Sequence, residues 1–567
     1  MAYTISRSTI ANPEPDPIII FGGGWGNPNL NRTLSNLKSM PVKNRDIIMF
    51  DYRGSGYSLP NLCPDLGAKH WDVLKENHDY KSFTEIVNKQ CYDCLDELKQ
   101  KGIDYKRYST EVKTIDAVKL IEQLGYGEVN LFGISNGTMG VQGFIRAAEN
   151  SSVKIRSIYS DSNVPMAAFQ NGKTTQLYKQ VLDNILDDCA NDPECNKAHP
   201  NLKERLYSFL LKTQTKPLVY KGAEEFVFNS QEINGILQQF LYKSDYYKDL
   251  PLLLEAFIAN DLTFMDALYG IFETLVKKHN GTSIVNYVYD WKARQDIAKK
   301  EYKQTTEQYP EFMISDFYLD FYVSDTMVSF NARDTIPVTS DIPALVMAGT
   351  YDPITSVEHS KIMHSRYSNS YYFEFEKIGH GVYGTTCGKE IFKAFIEQPN
   401  QKPNDACLME LNATPINFPT ALYKNNKINK LIQKVGLQKN VLWIFLLAFP
   451  LLFSLIVCFK EVISFFRKKD VNPLNLLQAT LILLFLIGLS YYSFETIQLG
   501  GLTLLFGLVG GAWWLPWIST TILIFALIIV YQTIKKSNIN LWNVGIMMSS
   551  IFVGLVIFSF DINLFLK

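Results

Sequence analysis

From Val441 to the end of the chain the sequence is dominated by Leu, Ile, Phe, Val and Gly, in apolar runs at 441–459, 474–490, 499–530 and 542–560. Each approaches or exceeds the roughly 20 residues that a helix needs to cross a bilayer. Backbone amides in lipid have no water to bond, so continuous apolar runs of this length must fold as membrane-spanning helices. Four spans are expected. The third run holds Gly500, Gly501, Gly507, Gly510, Gly511 and Pro516, and a re-entrant stretch followed by a span from about Ile518 would make five. Lys460, Arg467, Lys468 and Lys469 lie between the first two runs, and Lys535 and Lys536 precede the last. The positive-inside rule places those loops in the cytoplasm and everything before Val441 on the extracytoplasmic side. Lys424, Lys427, Lys430, Lys434 and Lys439 make a basic stretch ahead of the first run, readable as a membrane-surface contact or as a solvated linker, and they pull against this orientation.

Before that boundary the composition is that of a globular protein. The formal net charge of -1 over 567 residues, with no clustered Lys/Arg face, excludes a nucleic-acid partner. Short apolar runs at 18–21, 47–50, 129–132 and 344–347 read as buried strands, and 109–124 has helical spacing. This alternation predicts an α/β class, with a mostly parallel sheet covered by helices. Residues 166–335 are rich in Tyr, Lys, Asn and Leu at helical spacing and read as an inserted helical cap, with 252–258 and 264–276 packing over the mouth of the sheet. The expected division is a core in two parts (1–165 and 336–415), the cap (166–335), a linker (416–440) and the transmembrane region (441–567).

Gly133-Ile134-Ser135-Asn136-Gly137 fits G-x-S-x-G between a strand and a helix, the setting in which a sharp turn pushes a serine hydroxyl out at the end of a sheet. Such a serine needs a base, and the base an orienting carboxylate. Asp352, after the strand at 344–347, and His380, between two glycines after the run at 371–375, follow in the required order. His70, His78, His199, His279, His359 and His364 lack that context and read as structural. Asn136 N–H, with Gly22 and Gly23 of the loop 21–26, would form an oxyanion hole. That loop lacks the Lys-Ser/Thr ending of a phosphate cradle, so no nucleotide or other cofactor is expected. Cys91 and Cys94 have C-x-x-C spacing without a second pair of ligands, which argues against zinc. The short separations of Cys189 from Cys195 and Cys387 from Cys407 suggest loop-closing disulfides in an oxidising compartment, against the alternative of reduced cysteines in the cytosol.

Taken together, these segments resemble the prolyl aminopeptidase and tripeptidyl aminopeptidase group of α/β-hydrolases, over about residues 18–411. Phe21 to Gly26 is similar to that group's HGGPG loop, with Phe21 in place of His. Asp51-Tyr52-Arg53-Gly54-Ser55-Gly56-Tyr57-Ser58 is similar to its D-x-R-G-x-G-x-S segment, and the serine motif continues with Thr138. The resemblance implies an α/β-hydrolase fold with a helical cap and release of residues from peptide N-termini. It also implies disulfides Cys63–Cys94, Cys189–Cys195 and Cys387–Cys407, with Cys91 left over. A cap carboxylate would hold the substrate's free amine; Glu224, Glu225, Glu273 and Glu311 are undiscriminated candidates. Family members have strands and an export signal ahead of the glycine loop, so this chain is expected to lack its native N-terminus. The expected function is a membrane-tethered serine aminopeptidase acting on peptides with a free N-terminus. The alternatives are a membrane-bound carboxylesterase or lipase with the same triad, and a non-catalytic hydrolase-like membrane protein.

Overall fold

The computed structural model describes residues 1–24, 26, 28–30, 40–168, 173–284, 295–315, 336–535 and 540–563. Trp25 of the glycine loop, parts of the expected cap and Lys536 fall outside that set. The chain divides into two compact units: Met1–Ala190, Asn201–Tyr247 and Leu268–Ile416 form the first, and Asn191–Pro200, Lys248–Ala267 and Asn417–Lys567 the second.

The first unit is built on a seven-stranded sheet. Its strands are β1 (Tyr3–Ser6), β2 (Ile18–Phe21), β3 (Ile47–Phe50), β4 (Glu128–Ile134), β5 (Lys154–Asp161), β8 (Ala344–Gly349) and β9 (Ser370–Phe375), in the order β1-β3-β2-β4-β5-β8-β9. All neighbours pair in parallel except β1, an antiparallel edge beside β3. Strands covered on both faces have no side to spare for polar residues, which is why β2, β3 and β8 are continuous apolar runs. One face, with Ile18, Phe132, Tyr159, Met347 and Phe373, packs on Phe392 and Phe395 of the helix Thr386–Glu397. Helices Thr110–Leu124 and Gly137–Ala148 approach each other closely, since a Cβ on Gly143 would lie 2.8 Å from Thr114 Cγ2. Between β5 and β8 the chain is largely helical, but it also forms a hairpin, β6 (Leu218–Lys221) with β7 (Glu225–Phe228). The sequence reading had only helices there.

The second unit contains four helices long and apolar enough to cross a membrane among the described residues: Val441–Phe466, Pro473–Gln498, Ala512–Lys535 and Leu541–Ser559. Their buried faces meet in a core that includes Ile482, Phe485, Leu515, Ile522, Val553 and Val556. Asn475 donates to Asn543 at 2.8 Å, and Gln478 to Ser550 at 2.9 Å, so the buried amides bond across helices. The glycine-rich stretch after Gln498 adds no fifth span: it forms β11 (Gly507–Val509), antiparallel to β10 (Leu422–Lys424). A Cβ on Gly507 would sit 2.1 Å from Tyr423 O, so only glycine fits that pairing. Within residues 416–440, expected as a linker, β10 and the helix Ile428–Ile432 bury Tyr423, Ile428 and Leu431 in the same core. Lys248–Ala267, which overlaps the segments 252–258 and 264–276 read as cap, belongs to this unit.

Candidate active site

Ser135 sits between β4 and the helix Gly137–Ala148 with φ 58°, in the left-handed region that side chains rarely occupy. The flanking glycines follow from packing. A Cβ on Gly137 would lie 2.0 Å from Phe21 O, and one on Gly133 2.9 Å from Gly137 O. The turn is closed by Thr138, whose N–H donates to Ser135 O at 2.9 Å. The helix that begins here points its positive end at the serine.

Asp352 follows β8 and is 2 % exposed. Its Oδ2 lies 2.7 Å from His380 Nδ1 and accepts from Thr355 Oγ1 at 2.6 Å, while Oδ1 accepts the amides of Ile354 (3.0 Å) and Thr355 (2.8 Å). Burial alone would raise its pKa, but the His380 charge and these donors hold it below the ordinary carboxylate value. For His380 burial works downward, yet the Asp352 charge and hydrogen bond, with a further push from Asp161, leave it above the ordinary imidazole value. With Nδ1–H given to the carboxylate, Nε2 remains as the acceptor a base requires.

Among the described residues no hydrogen bond joins Ser135 Oγ to His380. The two loops are tied instead through the end of β5. Ser135 N–H donates to Asp161 O at 2.9 Å. The Asp161 carboxylate accepts the amides of Val382 (3.2 Å) and Tyr383 (3.0 Å), and Ser162 Oγ accepts that of Gly381 (2.8 Å). His380 N–H donates to Tyr242 O at 2.9 Å, and the Tyr242 ring stands 4.8 Å from the imidazole. Asp161, Ser162 and Tyr242 were missed in the sequence. The available signal was an ionisable residue closing an apolar strand run, Ile158-Tyr159-Ser160-Asp161.

The glycine loop lies against the serine. A Cβ on Gly23 would be 3.7 Å from Ser135 Oγ, and Asn136 Nδ2 donates to Gly24 O at 3.1 Å. A Cβ on Gly22 would fall 1.7 Å from Asn29 Oδ1, so a side chain there would have to displace the Asn29 amide. Phe21, at the position where the resembled family has His, is a core residue, edge-on to Phe50 and Phe144. The D-x-R-G-x-G-x-S segment anchors this loop. The buried Asp51 carboxylate accepts the amides of Asn29 (2.6 Å), Leu30 (2.9 Å) and Tyr57 (2.9 Å), and Arg53 clamps Asp116 through Nε (2.6 Å) and Nη2 (2.5 Å).

The other candidates are not drawn into the site. Glu224 accepts from Lys75, Tyr269 and Trp71, which bring its pKa down to about 2. Glu225 pairs with Lys221 and Glu273 with Lys277; Glu311 has no ion pair among the described residues. His70 and His279 face each other, Nδ1 to Nδ1 at 3.2 Å, both pushed down by burial. Disulfides join Cys63 to Cys94 and Cys387 to Cys407, Cys189 and Cys195 are both disulfide-bonded, and Cys91 is free and buried, as the resemblance implied.

A mostly parallel sheet with a serine on a strand-to-helix turn, and an Asp–His pair on loops at strand ends, defines the class of α/β-hydrolases. The sequence matches the alpha/beta hydrolase fold family over residues 16–385, and the chain belongs to that family. Solved structures with which it aligns include an esterase from Exiguobacterium antarcticum (12 % identity, 70 % of this chain and 95 % of that one, TM-score 0.30). MenH from S. aureus aligns similarly (11 %, 70 % and 99 %, 0.31), as does bromoperoxidase from Bacillus anthracis (15 %, 70 % and 95 %, 0.30). At these values the likeness decides nothing about substrate. No curated protein matches the sequence.

Proposed function

We propose that the chain is a serine hydrolase with Ser135 as nucleophile, His380 as base and Asp352 as acid. The observation that carries this is the serine held at positive φ on the turn, with the Asp352–His380 pair on loops tied to the same strand end. Ser135 Oγ attacks the substrate carbonyl as its proton passes to His380 Nε2. The oxyanion is received by the Asn136 amide together with Gly22 or Gly23. Collapse breaks the acyl bond, His380 returns the proton to the leaving group, and an acyl-enzyme remains. Water then repeats the sequence and frees Ser135.

For substrate we propose a peptide with a free N-terminus. The disulfides Cys63–Cys94 and Cys387–Cys407, and the free Cys91, support this because the aminopeptidase resemblance implied them. One observation favours esters instead: three of the four candidate amine-binding glutamates are committed to lysines. We place the hydrolase unit outside the cytoplasm, tethered to the bilayer by the four apolar helices. The test is a panel of aminoacyl-aminocoumarins beside neutral acyl esters, with fluorophosphonate labelling of wild type and Ser135→Ala. Labelling abolished in Ser135→Ala with turnover of the aminoacyl amides is expected. Turnover of esters alone would sink the peptidase assignment, and absence of labelling in the wild type would sink the hydrolase.

A further inference from the structure

Asp161 is fully buried, has no Lys or Arg in salt-bridge reach among the described residues, and takes no part in the bond-making steps proposed above. A carboxylate in that position is costly to bury unless donors surround it. Its donors are specific. Val382 N–H and Tyr383 N–H, two and three residues beyond His380, point at its two oxygens, and Tyr159 OH donates to Oδ2 at 3.1 Å. The next residue, Ser162, holds Gly381 N–H, and the Asp161 carbonyl holds Ser135 N–H. Every backbone amide from His380 to Tyr383 is therefore anchored, three of them by Asp161 and Ser162, on the residue that also fixes the serine.

We infer that Asp161 is a positioning residue for the reaction, a buried anion that acts through His380 and Ser135 by setting the spacing of their loops and by presenting a second negative charge to the imidazole. It rests on the serine-hydrolase reading and deepens it. A linker of loops need not be charged: a neutral acceptor would bind the same amides. The charge is what distinguishes the two roles. Groups facing His380 are Asp352 from the loop after β8, the Thr355 hydroxyl at 3.4 Å, Tyr242 from the segment between β7 and β8, and Asp161 from β5. Among the described groups facing it, the two aspartates carry the charge, and both favour the imidazolium. Burial pushes Asp161 itself up to about 6, and the amides of Tyr383 and Val382 with the Tyr159 hydroxyl hold its charge against that push.

The test is the rate of fluorophosphonate labelling of Ser135 against pH in the full-length, detergent-solubilised protein, for wild type, Asp161→Asn, Ser162→Ala and Tyr159→Phe. Ser162→Ala loosens the histidine loop without touching the charge, so its plateau falls while its acid limb stays. Asp161→Asn lowers the plateau and moves the acid limb to lower pH by about half a unit, less than the roughly 1–3 units a contacting carboxylate supplies. Tyr159→Phe, which keeps the ring packing, removes a donor to the carboxylate, raises the Asp161 pKa and moves the limb the same way by less. Tyr159→Phe also carries the test should Asp161→Asn not fold. Acid limbs in Asp161→Asn and Tyr159→Phe that coincide with wild type would overturn the assignment of a charge acting on His380. A wild type that never labels would instead overturn the hydrolase reading on which it rests.

Discussion

Ser135→Gly and Ser135→Ala remove the same hydroxyl yet should separate in stability. At φ 58° a side chain crowds its own carbonyl, at a cost of about 1–2 kcal/mol. Alanine keeps the Cβ and with it the strain; glycine loses both. Against this, glycine returns about 0.5–1 kcal/mol through the larger conformational freedom of the unfolded chain. The balance leaves Ser135→Gly about 0.5–1 kcal/mol more stable than Ser135→Ala. Among the described residues Ser135 Oγ makes no hydrogen bond, so no lost bond confuses the comparison. For a unit of this size the difference is about 1–3 °C in Tm. It is read by thermal melts of the two inactive proteins, followed by tryptophan fluorescence under identical detergent conditions. Ser135→Gly melting at or below Ser135→Ala would refute the claim that the turn stores strain around its serine.

Gly137→Ala should be damaging at the same turn for a different reason, because its Cβ would lie 2.0 Å from Phe21 O and either the end of β2 or the helix must shift. A cost of about 1–3 kcal/mol and at least a roughly tenfold slower fluorophosphonate labelling are expected; a wild-type rate would contradict the packing. In the proposed mechanism His380 acts only when neutral, and with its pKa raised above 6.5 labelling should rise with pH and reach half its plateau above pH 6.5. Asp352→Asn should move that limb down and lower the plateau by roughly 10³–10⁴-fold. For stability the raised His380 contributes fully below pH 6.5 and loses its contribution as pH rises through the folded value, whereas the lowered Asp352 contributes above pH 3.8 and loses it as pH falls through its folded value. The Tm gap between wild type and Asp352→Asn should therefore be widest between those pH values, and a gap widest at pH 8 would contradict the pair. Replacing both Cys63 and Cys94 by Ser opens a loop of sequence separation 31 and should cost about 4 kcal/mol, measured as a lower denaturation midpoint. Cys91, fully buried and with its thiol pKa pushed far up by burial, should resist maleimide until the unit unfolds.

Features whose cause is local were readable from the chain. A strand buried on both faces must be apolar throughout, so 18–21, 47–50 and 344–347 announced themselves. The turn at Ser135 needs glycines within two residues on either side, and that too is written in one pentapeptide. What escaped was set by partners distant in sequence. Nothing in Leu218–Lys221 or Glu225–Phe228 marks a hairpin except that Leu218, Tyr220, Phe226 and Phe228 are the buried positions, a period too short to separate from a helical turn. The helix Leu250–Ile258 buries Leu250, Leu252, Leu253, Leu254 and Phe257, apolar around more than one side. A helix buried on more than one side is apolar beyond a single stripe, and this segment belongs to the second unit. The glycines from Gly500 to Gly511 looked like a broken span because composition cannot tell an apolar helix from a loop whose glycines take positive φ.

Asp51 and Asp161 show how much of a site of this kind lies outside its motifs. Asp51 directly follows β3 and Asp161 closes β5, so the two flank β2 and β4, the strands that carry the glycine loop and the serine. Neither has a cation within salt-bridge reach among the described residues; each is satisfied by backbone amides of the loops it faces, Asn29, Leu30 and Tyr57 for one, Val382 and Tyr383 for the other. An amide donor is present at every residue but proline, so the partner leaves no trace in composition, and only the fold decides which amides arrive. That choice has a chemical consequence. A lysine or arginine beside Asp161 would cancel the charge that reaches His380, whereas amide donors neutralise the cost of burial and leave the charge in place. On the proposed mechanism, the two loops that must lie close together are thus held by partners that leave this charge in place.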